Sequence, residues 1–315
     1  MKSFTPWIFA ARPKTLGAAI APVLVGSTLG WKLSGQFCIW LALATLGSCV
    51  CLQIATNLFN DAVDGMKGSD TDERLGPVRI TASGMMPAKT VMWAAAGVLA
   101  LATLLAVPLF IYRGWPIVAI GIPSLWFCYG YTGGPMPLAY RGLGELFVVL
   151  FFGLVAVTGS AFVQSGHWHI EAVIAGLQIG MLSTVLIAIN NLRDIEEDTK
   201  TGKRTLAVRF GAGFARGEIS ILQTIPLLLC PYWIFAMKAP DVAILTMIPL
   251  AVLGVAIDAK IRRTEPSPVY NRFLAMAGAS LILFSVMMCV GIVTQNITGS
   301  ILHRIVGSQS LGIDD

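Results

Sequence analysis

The chain has 315 residues, of which 56% are hydrophobic and 12% charged, with a formal net charge of +5. Soluble domains carry about a quarter charged residues, so this composition excludes an ordinary soluble fold and describes a polytopic membrane protein. It offers nucleic acid no basic face with interleaved aromatics. Its six cysteines lie in or beside apolar runs without CxxC spacing, as small packing residues do.

Nine apolar runs reach or approach the roughly 20 residues that span a bilayer: 15–31, 38–58, 91–111, 116–132, 146–163, 171–191, 219–237, 242–260 and 274–294. In lipid only closed helices satisfy their own backbone groups. The expected fold is therefore all-α, a single polytopic membrane domain over 1–315 with nine transmembrane helices. Ala18-Ala19-Ile20-Ala21 resembles a signal cleavage site, but the run continues to Trp31 and reads as a retained helix. With the N-terminus in the cytoplasm, only Lys32, Arg113, Lys238 and Arg304 of the 22 Lys and Arg fall outside. Nine crossings then leave the C-terminus outside. The outside connections are short. Two inside connections, about 61–90 and 192–217, are long cap loops, and such loops in a compact bundle are usually functional.

Each cap loop begins at an Asn/Asp cluster. After the second run come Asn57, Asn60, Asp61 and Asp64, with Asp70, Asp72 and Glu73 beyond. On a continued helix the first four sit at i, i+3, i+4 and i+7, which is one face. After the sixth run come Asn190, Asn191, Asp194 and Asp198, where Asn190, Asp194 and Asp198 fall at i, i+4 and i+8. Carboxylates sharing a face repel unless a cation lies between them, and their hard oxygens suit Mg2+. Lys67, Arg74 and Arg79 follow the first cluster; Lys200, Lys203, Arg204 and Arg209 follow the second. Acids, magnesium and a ring of Lys and Arg suit a diphosphate, neutralising it as it leaves.

A diphosphate site at a membrane face implies a lipid tail, and a polyprenyl diphosphate fits best. Its ionisation leaves an allylic cation, which Trp126, Phe127, Tyr129 and Tyr131 of the fourth run and Phe147, Phe151 and Phe152 of the fifth can face. A transporter, the non-enzyme alternative, would place ionisable residues near mid-membrane, where these runs are almost bare. A CDP-alcohol phosphotransferase would also begin Asp61-Ala62-Val63-Asp64-Gly65, but Met66-Lys67-Gly68 does not continue that motif.

Together with Arg12-Pro13-Lys14-Thr15-Leu16, Gly76-Pro77-Val78-Arg79, Tyr131-Thr132-Gly133-Gly134-Pro135, Tyr140-Arg141-Gly142-Leu143-Gly144-Glu145 and Thr205-Leu206-Ala207-Val208, these clusters resemble the UbiA superfamily of intramembrane aromatic prenyltransferases. Within it they look like the MenA type, which uses 1,4-dihydroxy-2-naphthoate. The resemblance runs from Arg12 to about Gly211. The family's N-D-x-x-D-x-x-x-D is matched at Asn60, Asp61 and Asp64. Gly68 stands at the last position, a habit of the MenA type, which leaves Asp70 or Asp72 as the replacement ligand. Its D-x-x-x-D is matched at Asp194 and Asp198.

The resemblance implies nine helices around a central cavity that opens sideways to membrane lipid, and magnesium as cofactor. It implies Asn60, Asp61, Asp64, Asp70, Asp194 and Asp198 as metal ligands, and Asp64, Asp194, Asp198 and Lys203 as catalytic residues. Substrate contacts would come from Arg12, Lys14, Asn57, Lys67, Arg79, Tyr131, Tyr140, Asn190, Asn191 and Arg193. The implied reaction moves a polyprenyl group from polyprenyl diphosphate to 1,4-dihydroxy-2-naphthoate, with decarboxylation and diphosphate release. The product would be demethylmenaquinone, made at the cytoplasmic face of a bacterial plasma membrane. Another aromatic acceptor, such as 4-hydroxybenzoate or homogentisate, is the alternative within the same fold.

Overall fold

The computed structural model describes residues 5–68 and 75–309, with side chains to residue 295. Among the described residues there is no strand; each apolar run is helical, the form that closes its backbone hydrogen bonds on itself. Helix α1 (Thr5–Ala11) meets α2 (Gly17–Ser34) across a 49° bend. The bend falls at Arg12-Pro13, where proline can neither donate an N–H nor fit behind a helical turn. Then come α3 (Ile39–Lys67), α4 (Ala88–Arg113), α5 (Trp115–Gly130), α6 (Gly144–Ser165) and α7 (Ile170–Arg193). The short α8 (Ile195–Lys200) leads to α9 (Leu206–Phe235), α10 (Pro240–Arg263) and α11 (Tyr270–Gln309).

Seven helices are long and apolar enough to cross a membrane, and the bent pair Thr5–Thr15 with Gly17–Ser34 makes an eighth. The ninth expected crossing falls short of that length. The run at 116–132 folds as α5, whose 16 residues span about 24 Å at 1.5 Å per residue, against roughly 30 Å of hydrocarbon. It stops because Thr132-Gly133-Gly134-Pro135 turns away, with Gly134 at φ +74°.

Small residues let the helices close around a common centre. A methyl group at Gly26 of α2 would stand 2.3 Å from the Val157 carbonyl oxygen of α6. One at Gly153 of α6 would stand 2.4 Å from the Gly176 carbonyl oxygen of α7. Helix α7 is the central column, with 72% of its apolar window buried, whereas α4, at 17%, is turned outward. Helix α6 passes through a π-helical stretch at Val149–Val155, a feature frequent at functional sites.

Both polar clusters sit where a helix ends. Helix α3 runs through Asn57–Asp64 and stops at Gly68, whose φ of +67° is a left-handed cap that favours glycine. The position that holds the last Asp of the N-D-x-x-D-x-x-x-D pattern is thus the helix stop. Helix α7 ends at Arg193, and Asp194 is the single residue between it and α8.

Candidate active site

A cavity of about 1280 Å³ lies among α2, α3, α5, α6, α7 and α11. Its walls take in Arg12, Lys14, Asn57, Asn60, Asp64, Arg79, Tyr131, Asn190, Asn191, Arg193, Asp194, Asp198 and Lys203. Most residues expected at the site therefore converge on one space from opposite halves of the chain. Asp61, Lys67 and Tyr140 do not line it. Asp70, with Asp72, lies outside the described residues.

Asp64 is the centre of the polar end. It is buried, and its Oδ1 accepts from the Tyr140 hydroxyl at 2.8 Å. Its Oδ2 lies 3.2 Å from Lys203 Nζ and 3.7 Å from an Arg79 guanidinium nitrogen. One carboxylate thus faces two cations drawn from the two cap loops. Tyr140 is a buttress behind it. Lys67 Nζ lies 4.1 Å from the centre of the Tyr140 ring and donates to the Thr132 carbonyl at 2.8 Å. Thr132 in turn donates its hydroxyl to Asn60 Oδ1.

Asp61 points elsewhere. Its two oxygens accept from the backbone N–H of Ile80 (3.2 Å) and of Thr81 (2.9 Å), so it pins the first cap loop to α3. Adjacent helical residues point about 100° apart. Asn60 therefore reaches the cavity while Asp61 reaches the loop beside it.

Asn57 has a similar holding part. Its Nδ2 donates to the Ala11 carbonyl at 2.9 Å and to Thr15 Oγ1 at 3.1 Å. That clamps the bend at which Arg12 sits at φ +51°, ψ +70°. A non-glycine residue in this region costs on the order of 1–3 kcal/mol, and the strained conformation presents Arg12 at the cavity wall.

In the second cluster, Arg193 grips Asp194 through two hydrogen bonds of 2.7 Å, a two-pronged pair. The same guanidinium donates to Asn271 Oδ1 of α11 at 2.7 Å, and Asn271 Nδ2 donates to the Leu75 carbonyl at 2.9 Å. Asn271 therefore ties the second cluster to the loop that follows the first. Nothing in its sequence context marked it, since it belongs to neither polar cluster.

Below the polar end the wall turns aromatic. Phe147 and Phe151 stack at 4.5 Å and 21°, with Phe127 edge-on to both and Tyr131 tilted on Phe147. Phe152 also lines the cavity. Of the other expected aromatics, Trp126 (64% exposed) and Tyr129 (40% exposed) face outward.

Fold and cavity together define a multi-pass membrane protein with a charged pocket set on an apolar chamber. The UbiA prenyltransferase family model matches residues 19–294, and the chain belongs to this family. A Haemophilus influenzae protein named 1,4-dihydroxy-2-naphthoate octaprenyltransferase is 33% identical over 298 residues, covering 90% of this chain and 96% of its own. A Mycobacterium tuberculosis protein of the same name is 35% identical over 252 residues, covering 78% and 85%. The solved structure of a UbiA homolog from Archaeoglobus fulgidus bound to GPP and Mg2+ matches with a TM-score of 0.68 at 17% identity. It covers 91% of this chain and 99% of that one, a likeness of fold.

Proposed function

We propose that the chain transfers a polyprenyl group from its diphosphate to 1,4-dihydroxy-2-naphthoate, with loss of carbon dioxide and diphosphate; its relatives are named for octaprenyl transfer to that acceptor. The observation that carries this reading is Asp64 flanked by Lys203 and Arg79 at the charged end of a cavity whose body is aromatic and apolar. A molecule with a dianionic head and a hydrocarbon tail matches that division.

Magnesium fits the same end. Asn60, Asp64, Asp194 and Asp198 offer hard oxygen donors to one cavity. Among the described residues no three acidic, His or Cys side chains form a ready cage. The donors therefore suit an ion whose shell is completed by substrate phosphate, the usual habit of Mg2+. When bound, it supplies positive charge against the leaving diphosphate. Lys203, Arg79 and Arg12 hold the phosphate oxygens, and Lys14 stands at the same wall. Phe127, Tyr131, Phe147 and Phe151 exclude water and turn their π-faces toward the allylic carbon as charge develops there. The acceptor carbon bearing the carboxylate takes the prenyl group, and decarboxylation restores the aromatic ring. The excess of Lys and Arg at this end supports a site on the cytoplasmic face, in our reading that of a bacterial plasma membrane.

The test uses membranes containing the protein, with magnesium, farnesyl or geranylgeranyl diphosphate, and dihydroxynaphthoate. The expected result is a prenylated naphthoquinol or its quinone by mass spectrometry. Asp64→Ala and Asp194→Ala should each lower kcat/KM more than about 100-fold, or ~2.7 kcal/mol. Turnover of 4-hydroxybenzoate in place of the naphthoate would refute the acceptor assignment.

A further inference from the structure

Glu145 lies in the first turn of α6, just before its apolar run, and is 6% exposed. Asn191 Nδ2 donates to Oε1 at 2.7 Å. Oε2 is buried with no hydrogen-bond partner, in a residue that lines the cavity. Buried carboxylate oxygens are normally satisfied, and an orphan at a ligand cavity is an acceptor lacking its donor. Two residues further along α6, Phe147 begins the stacked aromatic wall. A flat ring laid on that wall would share the cavity with Glu145, which lines it too. An aromatic face beside a hydrogen-bond acceptor is the pairing that recognises a phenol.

We propose that Glu145 Oε2 accepts the acceptor's hydroxyl ortho to the prenylated carbon and takes its proton as the new bond forms. This rests on the acceptor reading given above. In the step, the O–H electron pair becomes the π-bond of a ring carbonyl. The ring π-pair forms the bond to the allylic carbon, and the allylic C–O pair leaves with diphosphate. Loss of carbon dioxide then returns an electron pair to the ring, and Glu145 gives the proton back to the oxygen. No oxidant is needed and the glutamate ends as it began. Asn191 holds the other carboxylate oxygen and so fixes the orientation of the group.

The decisive variant is Glu145→Gln, which keeps the size of the side chain and an acceptor for Asn191. Binding of farnesyl thiolodiphosphate with magnesium should match the wild type, showing the fold and the diphosphate site intact. Single-turnover prenylation of dihydroxynaphthoate should fall about 100-fold or more, the usual worth of a positioned base. The methyl ether of the ortho hydroxyl has no proton to give, so its slow reaction should be the same in both proteins. An equal loss on both acceptors, or wild-type turnover of the free phenol, overturns the proposal. If the wild type prenylates a different phenol instead, the naphthoate assignment falls. The same comparison on that phenol and its ether then decides Glu145 separately.

Discussion

Asp61 and Asp64 carry the same carboxylate three residues apart on one helix, and the fold gives them different work. Asp64 faces Lys203, Arg79 and Tyr140 at the cavity, while Asp61 is spent on two backbone amides. Asp61→Asn retains one acceptor oxygen and loses the charge. Hydrogen bonds to charged groups are worth about 1.5–3 kcal/mol, so the Ile80 and Thr81 amides should exchange with deuterium at least tenfold faster. The affinity for a prenyl thiolodiphosphate should fall far less than in Asp64→Asn. Protected amides with lost affinity would instead place Asp61 on the metal. The sequence made both residues legible as one polar face, because helical spacing is readable. Which edge of that face meets the cavity depends on where the loop carrying Ile80 packs, and no local pattern encodes that. The same holds for the aromatics. Phe127 and Trp126 are neighbours in an apolar run, and only packing turns one to the cavity and the other to the outside.

At the scale of elements, the helices were legible because a bilayer leaves the chain one solution. The length of α5 was not, because Tyr131 and Thr132 extend its apolar run while Gly133-Gly134-Pro135 ends the helix early. Helix contacts are set by glycines that look interchangeable in sequence. Gly153 has the backbone of α7 within 2.5 Å of where a methyl group would stand, while Gly97 of α4 has nothing within 4 Å. Gly153→Val should therefore lower the melting temperature in detergent by several degrees, from an overpacking cost of about 1–3 kcal/mol. Gly97→Val should leave it within a degree or two, since it meets no neighbour. Equal effects would mean that close approach of α6 and α7 does not support the bundle.

Across the whole molecule, two clusters four helices apart in sequence become one site through a few long-range ties. Lys203 reaches Asp64 across 139 positions, and Asn271 joins Arg193 to the Leu75 carbonyl. The pairing of clusters was legible from their repeated chemistry. The tie was not, because Asn271 belongs to neither motif. Asn271→Ala should raise KM for the prenyl diphosphate about tenfold, the worth of one lost charge-assisted contact near 1.4 kcal/mol, with a smaller change in kcat. An unchanged KM would show that the loop after α3 holds its place without α11. The tie also has an order in time. The ribosome delivers Asn271 196 positions after Leu75, when the acidic end of α3 has long been made. A half-synthesised chain thus carries the first cluster with neither the second cluster nor the strut that joins the two. The full set of ties between the two clusters is therefore complete only once the last helix has been made.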